Sequence, residues 1–298
     1  TQEKFADLIK NQIYSQYSKA EVNEVDDYTR YIGDYAKKQD SWNMFGIEFG
    51  LIKPEPYPIK TYVDYGLDKA IGTLDEEQKV DPITSTLEFL GSLRKGEQAW
   101  FQMIVRSDKW SSWRADAGAE IDKMMGRDKP ADPDNPVSQM KMSHGEQDQM
   151  KAIGRKLERV GFEVGFRTLY LAQKDAFRPS NITGMVGSVR QYNAPQLNGF
   201  KPVLVTDFDY KYQDPTGNRV LALKRKFFKN YVNRAFFQDA EHDRKEKSGF
   251  FGDEEKKPMV LNSEELATMF RFPGRVSETT NLERIDATKA QPPTNLPF

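Results

Sequence analysis

Two aspartates offer this chain its best opportunity for acid–base or metal chemistry. Asp207 and Asp209 lie two residues apart in a stretch that predicts a β-strand, so both side chains are expected on one face of a sheet. Paired carboxylates can hold a divalent ion or transfer protons. The sequence nearby supplies no third ligand, so we favour exposed acids on a strand over a metal or catalytic site.

The histidines and the lack of cysteine narrow the chemistry further. His144 and His242 fall in stretches expected to be exposed loops, and neither has a second histidine at the spacing of a helical metal site. Cysteine is absent, which excludes disulfides, thiol nucleophiles and thiolate metal sites. We therefore predict surface histidines, no metal site and no catalytic residue.

No nucleotide-binding or hydrolase motif occurs in the sequence. The chain contains no G-x-x-x-x-G-K-[ST], no G-x-G-x-x-G after a strand and no G-x-S-x-G. The closest approach to a phosphate cradle is Gly184 and Gly187, and their spacing within a helical pattern favours close helix packing instead. We expect no cofactor and no enzymatic activity.

A basic helix is the main candidate for a binding surface. Residues 219–234 carry the cationic positions, and Leu223, Phe227, Tyr231 and Ala235 form an apolar stripe along the same predicted helix. The candidate polyanion contacts are Arg219, Lys224, Arg225, Lys226, Lys229 and Arg234. Such a face can follow a phosphate backbone or lie on anionic lipid. The alternative, which we favour, is a helix whose apolar side faces a core and whose cationic side is solvated.

The composition predicts a folded protein with a highly charged surface. Its 298 residues are long enough to bury a sizeable core, and 38% of them are hydrophobic. Lysine and arginine number 44 against 45 aspartates and glutamates, so no overall affinity for polyanions follows. No window reaches 18 consecutive apolar residues, and none is expected to cross a bilayer. The chain begins at Thr1, and we expect it to be a fragment.

Helix–strand pairs are expected to position these residues. The predicted helices cover residues 2–17, 82–93 and 146–160, and the strands that follow them cover 22–28, 100–105 and 162–172. Asp81 and Pro82 form an N-terminal cap, and Gly161 is expected as a C-cap. Further elements are a strand at 42–52, helices at 180–193 and 220–238, a strand at 202–212, and a strand and helix at 260–272. Asn262 and Glu265 predict a capping box in the last of these.

This pattern predicts an α+β protein of two ferredoxin-like units, each an antiparallel sheet built on a split βαβ arrangement, with a helical insertion. The first unit, residues 1–107, would lack its first strand. The predicted divisions that follow are a helical insertion and Pro/Asp linker at 108–145, a second α+β unit at 146–238, a charged loop at 239–258, and a terminal strand, helix and proline-rich exit at 259–298.

Four segments carry a resemblance to a known class of proteins. They are "LIKNQIYSQYSKAEVNEVDDY", "DPITSTLEFLGSLRKGEQAWFQMIVR", "NITGMVGSVRQYNAPQLNGFKP" and "VLNSEELATMFRFPGR" with the later "ATKAQPPTNLP". Together, and in this order, they resemble the N-terminal, non-motor region of type IV secretion and conjugation-like proteins. That class is related to coupling-protein and TraC-like ATPases, many from uncultivated bacteria with small genomes.

The resemblance implies a place beside a motor. In such proteins a region of ferredoxin-like folds precedes a hexameric motor ATPase domain, in the same chain or in a neighbouring protein. A membrane anchor often lies further upstream, which implies a cytoplasmic position at the inner face of the membrane. This sequence has no Walker motif, so ATP binding is transferred to none of its residues.

The favoured hypothesis is therefore a non-catalytic assembly or docking region of a DNA- or protein-translocating complex, with weak self-association. One alternative is a nucleic-acid-binding module that uses the basic helix at 219–234. The other is a metal-dependent enzyme built on Asp207, Asp209 and neighbouring acids.

Overall fold

The computed structural model describes residues 3–17, 20–68, 81–108, 112–127, 142–208, 212, 214–237 and 258–271. The chain divides into two compact units, Thr1–Gly33 with Glu283–Phe298, and Asp34–Leu282. The described part of the first unit contains helix α1 (Ala6–Gln16) and two short 3-10 helices, Glu3–Phe5 and Tyr28–Tyr31. All other elements belong to the second unit.

The second unit mixes helices and strands along the chain. In chain order its elements are α2 (Tyr35–Lys38), β1 (Trp42–Leu51), α3 (Pro82–Gly91), β2 (Glu97–Ser107), α4 (Trp113–Met124), α5 (His144–Leu157), β3 (Gly161–Gln173), α6 (Ser180–Val189), the 3-10 helix Arg190–Tyr192, β4 (Phe200–Val205), α7 (Asn218–Val232), β5 (Met259–Asn262) and α8 (Ser263–Met269). The α+β class predicted from the sequence is thereby confirmed.

The five strands form one antiparallel sheet. Its order is β2-β3-β1-β4, and β5 also pairs with β3. Along β3, β1 pairs with residues 166–173 and β5 with residues 161–164, while β2 pairs with residues 162–172 on the opposite side. β5 therefore continues the sheet beyond the end of β1, and β3 is the strand on which the others are assembled.

The connections interlock two split β-α-β units in this one sheet. β1 and β2 run parallel with β3 between them, and β3 and β4 run parallel with β1 between them. That is the strand arrangement of a split βαβ fold. The expectation of two separate sheets is wrong for the described strands, since strands assigned to different units pair with one another. Hydrophobic alternation shows which face of a strand is buried and leaves its pairing partner open.

The strand predicted at residues 22–28 is absent from the described structure. Residues 20–27 are irregular and lead into the 3-10 helix that begins at Tyr28. The segment carries four acidic residues, a residue type depleted in strands. The predicted helix before it is confirmed as α1, but none of its residues is buried. Among the described strands, β1 takes the first-strand position of the split βαβ arrangement.

The two faces of the sheet are covered by different helices. On one face Phe49, Phe166 and Tyr170 pack into a core with side chains from α3, α6 and α8. Successive side chains of a strand point to opposite faces, so Arg167 lies on the other face, where it contacts α7. There the ring of Phe227 lies so close to Gly46 that a β-carbon at that position would come within 2.5 Å of it.

Several local predictions are confirmed by the backbone. Asp81 caps α3, its carboxylate accepting from the Ile83 amide at 3.1 Å, and Pro82 is the first helical residue. Gly184 also serves in helix packing, since a β-carbon there would lie 3.0 Å from the Phe89 ring of α3. Gly187 has open space around it, so its predicted packing role is not observed.

Other boundaries differ from the prediction. Gly161 is the first residue of β3, and Glu158 ends α5 in its place. β4 ends at Val205 and α7 at Val232, both several residues earlier than expected. The Pro/Asp linker around residues 128–141, the charged loop at 239–257 and the exit after Arg271 lie outside the described residues.

Candidate functional site

The basic helix α7 packs on the sheet through its apolar side. Phe227, Phe228 and Tyr231 are buried, and Trp100 of β2 contacts the last two rings at centroid distances of 6.2 and 5.7 Å. The predicted stripe thus faces a core, as in the structural alternative we favoured.

A buried arginine holds the C-terminal end of α7. The guanidinium of Arg167 donates to the carbonyl oxygens of Asn230 at 2.8 Å and Ala235 at 2.9 Å, and to the Gln102 side chain at 2.7 Å. Carbonyl groups at a helix end lack intrahelical partners, so a cation placed there satisfies them. This contact anchors the helix on the sheet.

The six candidate polyanion contacts fall into two environments. Exposed positions are Arg219, Arg225, Lys226, Lys229 and Arg234. Arg225 donates to the Gln39 side chain, and the Arg219 guanidinium lies 5.1 Å from the centroid of the Phe208 ring. Arg219, Lys226 and Lys229 are seven and three residues apart, which places them on one side of the helix.

Lys224 differs from the other five because it is half-buried. Its ammonium donates to Asn43 Oδ1 at 2.9 Å. Burial lowers the pKa of Lys224, and the negative charge of Asp207 opposes that effect in part. Its side chain is thus turned inward, towards β1, and is separated from the exposed cationic positions.

The carboxylate and histidine candidates do not converge. Asp207 is exposed and follows the end of β4, and Asp209 lies outside the described residues. His144 is an exposed residue at the start of α5, and His242 is outside the described residues. In the described ranges no three histidine, aspartate or glutamate side chains come together as a metal site.

A second set of charges fixes the terminal strand and helix to the fold. The ammonium of Lys156 and the carboxylate of Glu265 are fully buried and 3.2 Å apart. Lys156 also donates to the Val260 carbonyl at 3.1 Å. Glu265 accepts from the amides of Ile59 at 2.9 Å and Asn262 at 2.8 Å, which completes the predicted capping box. One ion pair therefore joins α5, β5, α8 and the loop after β1.

A partly exposed network surrounds this pair. Arg155 lies 2.8 Å from the Asp64 carboxylate and 3.2 Å from that of Glu264, and the Thr61 hydroxyl donates to Glu264 at 2.7 Å. Arg271, just beyond α8, pairs with the Asp81 carboxylate that caps α3. Residues 259–271 are thus held to α3, α5 and the 59–64 loop.

Glu97 forms a further buried charge cluster at the start of β2. Its carboxylate accepts from Tyr170 at 2.6 Å, Asn181 at 2.7 Å and the Arg94 amide at 2.7 Å, and it pairs with Arg178. Burial raises the pKa of Glu97, but the hydrogen bonds from Arg178 and Tyr170 outweigh it and lower the pKa to about 2. The cluster fastens β2, β3 and the start of α6.

Sequence patterns pointed to only part of these charge clusters. The capping residues Asn262 and Glu265 were found from their spacing of three. Lys156 gave no such signal, because it lies in a helix rich in charged residues and beside Arg155, which is partly exposed. Its role depends on β5 and α8, which are about a hundred residues away in the chain.

None of the helices in the described ranges has the length and apolar character needed to cross a membrane. Comparison of the chain with protein-family models, with curated proteins and with solved structures finds no match.

Proposed function

We propose that this chain is a non-catalytic assembly and docking region of a type IV secretion or conjugation-like translocation complex. The observation that supports this best is the attachment of the terminal strand and helix. Residues 259–271 are joined to the domain by the sheet pairing of β5, the buried Lys156–Glu265 pair and the Arg271–Asp81 pair.

Such an attachment suits a connection to a partner domain. A segment that leads from one domain to another can set their relative position only if its base is held rigidly. Buried ion pairs with satisfied hydrogen bonds have one arrangement, since a displaced partner leaves a charge uncompensated. The stretch after α8 belongs to the segment whose sequence resembles an exit towards a hexameric motor ATPase domain, in the same chain or in a neighbouring protein.

The distribution of polar groups also supports a contact role. The buried charges of Glu97, Arg167 and Lys156 are all engaged by partners within the fold. The sequence supplies no phosphate-binding motif, and helices cover both faces of the sheet. Loops, sheet edges and the outer sides of the helices are what such a fold presents to partners. By the same resemblance, we place the chain on the cytoplasmic side of the inner membrane, near an N-terminal anchor.

The test is reconstitution with the motor. The 298-residue chain would be mixed with the ATPase encoded next to it or following it in the reading frame, and complex formation followed by size-exclusion chromatography with light scattering. We expect a complex, and we expect Lys156→Met to weaken it more than Lys151→Met, whose side chain is exposed. A well-folded chain that forms no complex, or that hydrolyses ATP by itself, would refute the proposal.

A second candidate function rests on the exposed cations of α7. Arg219, Lys226 and Lys229 share one side of the helix and could follow a nucleic-acid backbone. For this candidate, DNA affinity must fall steeply with salt, and Lys226→Gln with Lys229→Gln must reduce the slope of log affinity against log salt by about one for each lysine that binds a phosphate. Lys151→Gln serves as the exposed control. A slope that the α7 substitutions leave unchanged would exclude this surface.

A further inference from the structure

A cavity of about 300 Å³ lies between α2, the start of β1 and the first turns of α7. Its volume is at the lower end of the range found for small-molecule sites. Two lysines, Lys174 and Lys224, contribute to its wall, and the remaining polar groups come from Asn43, Gln39, Tyr35 and Asp40. It is formed by three separate parts of the chain, and it is distinct from the terminal element and from the exposed side of α7.

Lys224 has a neutral hydrogen-bond partner, and the negative charge of Asp207 also acts on it. Lys224 donates to the neutral Asn43 side chain at 2.9 Å, and within the described ranges neither lysine forms an ion pair. A partly buried ammonium with one neutral acceptor has further donors available to a ligand and carries a desolvation cost. The lowered pKa of Lys224 has the same physical cause, namely burial. Lys224 therefore favours a negatively charged group in the cavity, and the exposed Lys174 adds a second cation to the cavity wall.

The rest of the cavity limits what that group can be. Tyr35 and Trp42 are nearly buried, so their rings form a fixed wall, and Val220 and Leu221 add apolar surface. This wall suits a small organic body beside the anionic group. At the N-terminus of α7 the Val220 amide already donates to Asp214, so the lysines are the groups that would hold an anion. Asp40 places one carboxylate on the wall, so the anion is expected at the lysine side.

We infer that this cavity is a binding site for a phosphate group, either free phosphate or the phosphate of a small sugar ester, with Lys174 and Lys224 as its ligands. A phosphate oxygen accepts charge-assisted hydrogen bonds from ammonium groups, and the Asn43 side chain keeps Lys224 pointed into the cavity. The site is independent of the docking proposal, since it shares no residue with the terminal strand and helix.

The test uses isothermal titration calorimetry and NMR chemical shifts with inorganic phosphate, ribose 5-phosphate and ribose. We expect saturable binding of phosphate, of ribose 5-phosphate or of both, and no binding of ribose. Lys224→Met and Lys174→Met should each weaken binding about tenfold or more, the usual effect of losing a hydrogen bond to a charged group. Lys151→Met, on α5, should leave the affinity unchanged.

The two phosphate probes separate the sources of the ligand. Tighter binding of ribose 5-phosphate would identify an ester and use of the aromatic wall, whereas equal affinities would identify free phosphate. Absence of saturable binding of both probes up to about 10 mM, which corresponds to negligible affinity, would overturn the inference. So would binding that both lysine substitutions leave intact. Lys174 is exposed, so Lys174→Met is expected to fold. This variant therefore keeps the test valid even if Lys224→Met fails to fold.

Discussion

At the scale of single residues, buried charges with complete sets of partners do most to specify this fold. Glu97, Lys156 and Arg167 are each withdrawn from water, and each meets both side-chain and backbone groups. A buried charge is costly unless it is paired and hydrogen-bonded, so each of these residues has only one favourable position. Each one connects elements that are distant in sequence.

The Glu97 cluster leads to a prediction about acid stability. The pKa of the Glu97 carboxyl is about 2 in the folded chain, against an ordinary value of 4.5. The contribution of this carboxylate to the free energy of unfolding is therefore complete above about pH 4.5 and is lost as the pH falls towards 2. Glu97→Gln should lower the free energy of unfolding at pH 7 by about 2–3 kcal/mol, because Arg178 and Tyr170 lose a charged acceptor. The difference in the free energy of unfolding between this variant and the wild type should decrease as the pH falls from 4.5 to 2.

Urea unfolding at a series of pH values measures this difference. Glu24→Gln is the control, because that side chain is 85% exposed and its ion pair with Lys10 is at the surface. It should change stability by less than about 0.5 kcal/mol at every pH. A difference for Glu97→Gln that stays constant from pH 7 to pH 2 would show that the charge of this residue contributes nothing.

At the scale of elements, two segments add to the four main strands: helix α7, and strand β5 with helix α8. α7 covers one face through three buried aromatic side chains, and β5 with α8 extends β3 and closes the other core. The sequence predicted the first segment as a helix and the second as a strand followed by a helix. Periodicity supplied those assignments, while the contacts that attach each segment come from Arg167 and Lys156 on other elements.

The attachment of α8 can be tested by a double-mutant cycle at Lys156 and Glu265. Lys156→Met should destabilise the chain by about 3–5 kcal/mol, because the Glu265 carboxylate then remains buried without its cation. Adding Glu265→Gln should restore part of that loss, since the uncompensated charge is removed. Equilibrium unfolding of the wild type, both single variants and the double variant gives the coupling energy.

Lys151→Met provides the matched control for the same helix, since its ammonium is 73% exposed in a surface pair. It should change the free energy of unfolding by less than about 1 kcal/mol. Additive effects of the two buried substitutions, with no coupling between them, would mean that the pair is not what holds α8 in place.

At the scale of the whole molecule, the described strands form one sheet from segments that are far apart in the chain. β1 pairs with β3 across more than a hundred residues, and β5 reaches β3 from near the end of the described structure. Pairings of this kind are slow to form because long loops must close first. Because these pairings join strands from both predicted units, Asp34–Leu282 forms one compact unit with no division at residues 107 or 146.

Self-association of the isolated chain is expected to be weak. Both faces of the sheet are covered within the chain, and β4 carries Pro202, which lacks an amide donor and blunts that edge. Size-exclusion chromatography with light scattering should therefore give the mass of one chain, 34.4 kDa, across a tenfold range of concentration. A stable hexamer whose mass does not change on dilution would contradict this.

The sequence alone determined the positions of most helices and strands, because their apolar periodicity and their caps are local. Asp81 with Pro82 and Asn262 with Glu265 are examples, and each acts through backbone groups within three residues. Only the tertiary structure decided that these strands share one sheet, that Lys156 is buried, and that Lys224 faces a cavity while the other basic side chains of α7 are exposed. Such outcomes depend on partners more than a hundred residues away, as between Lys156 and Glu265, and no local pattern specifies them.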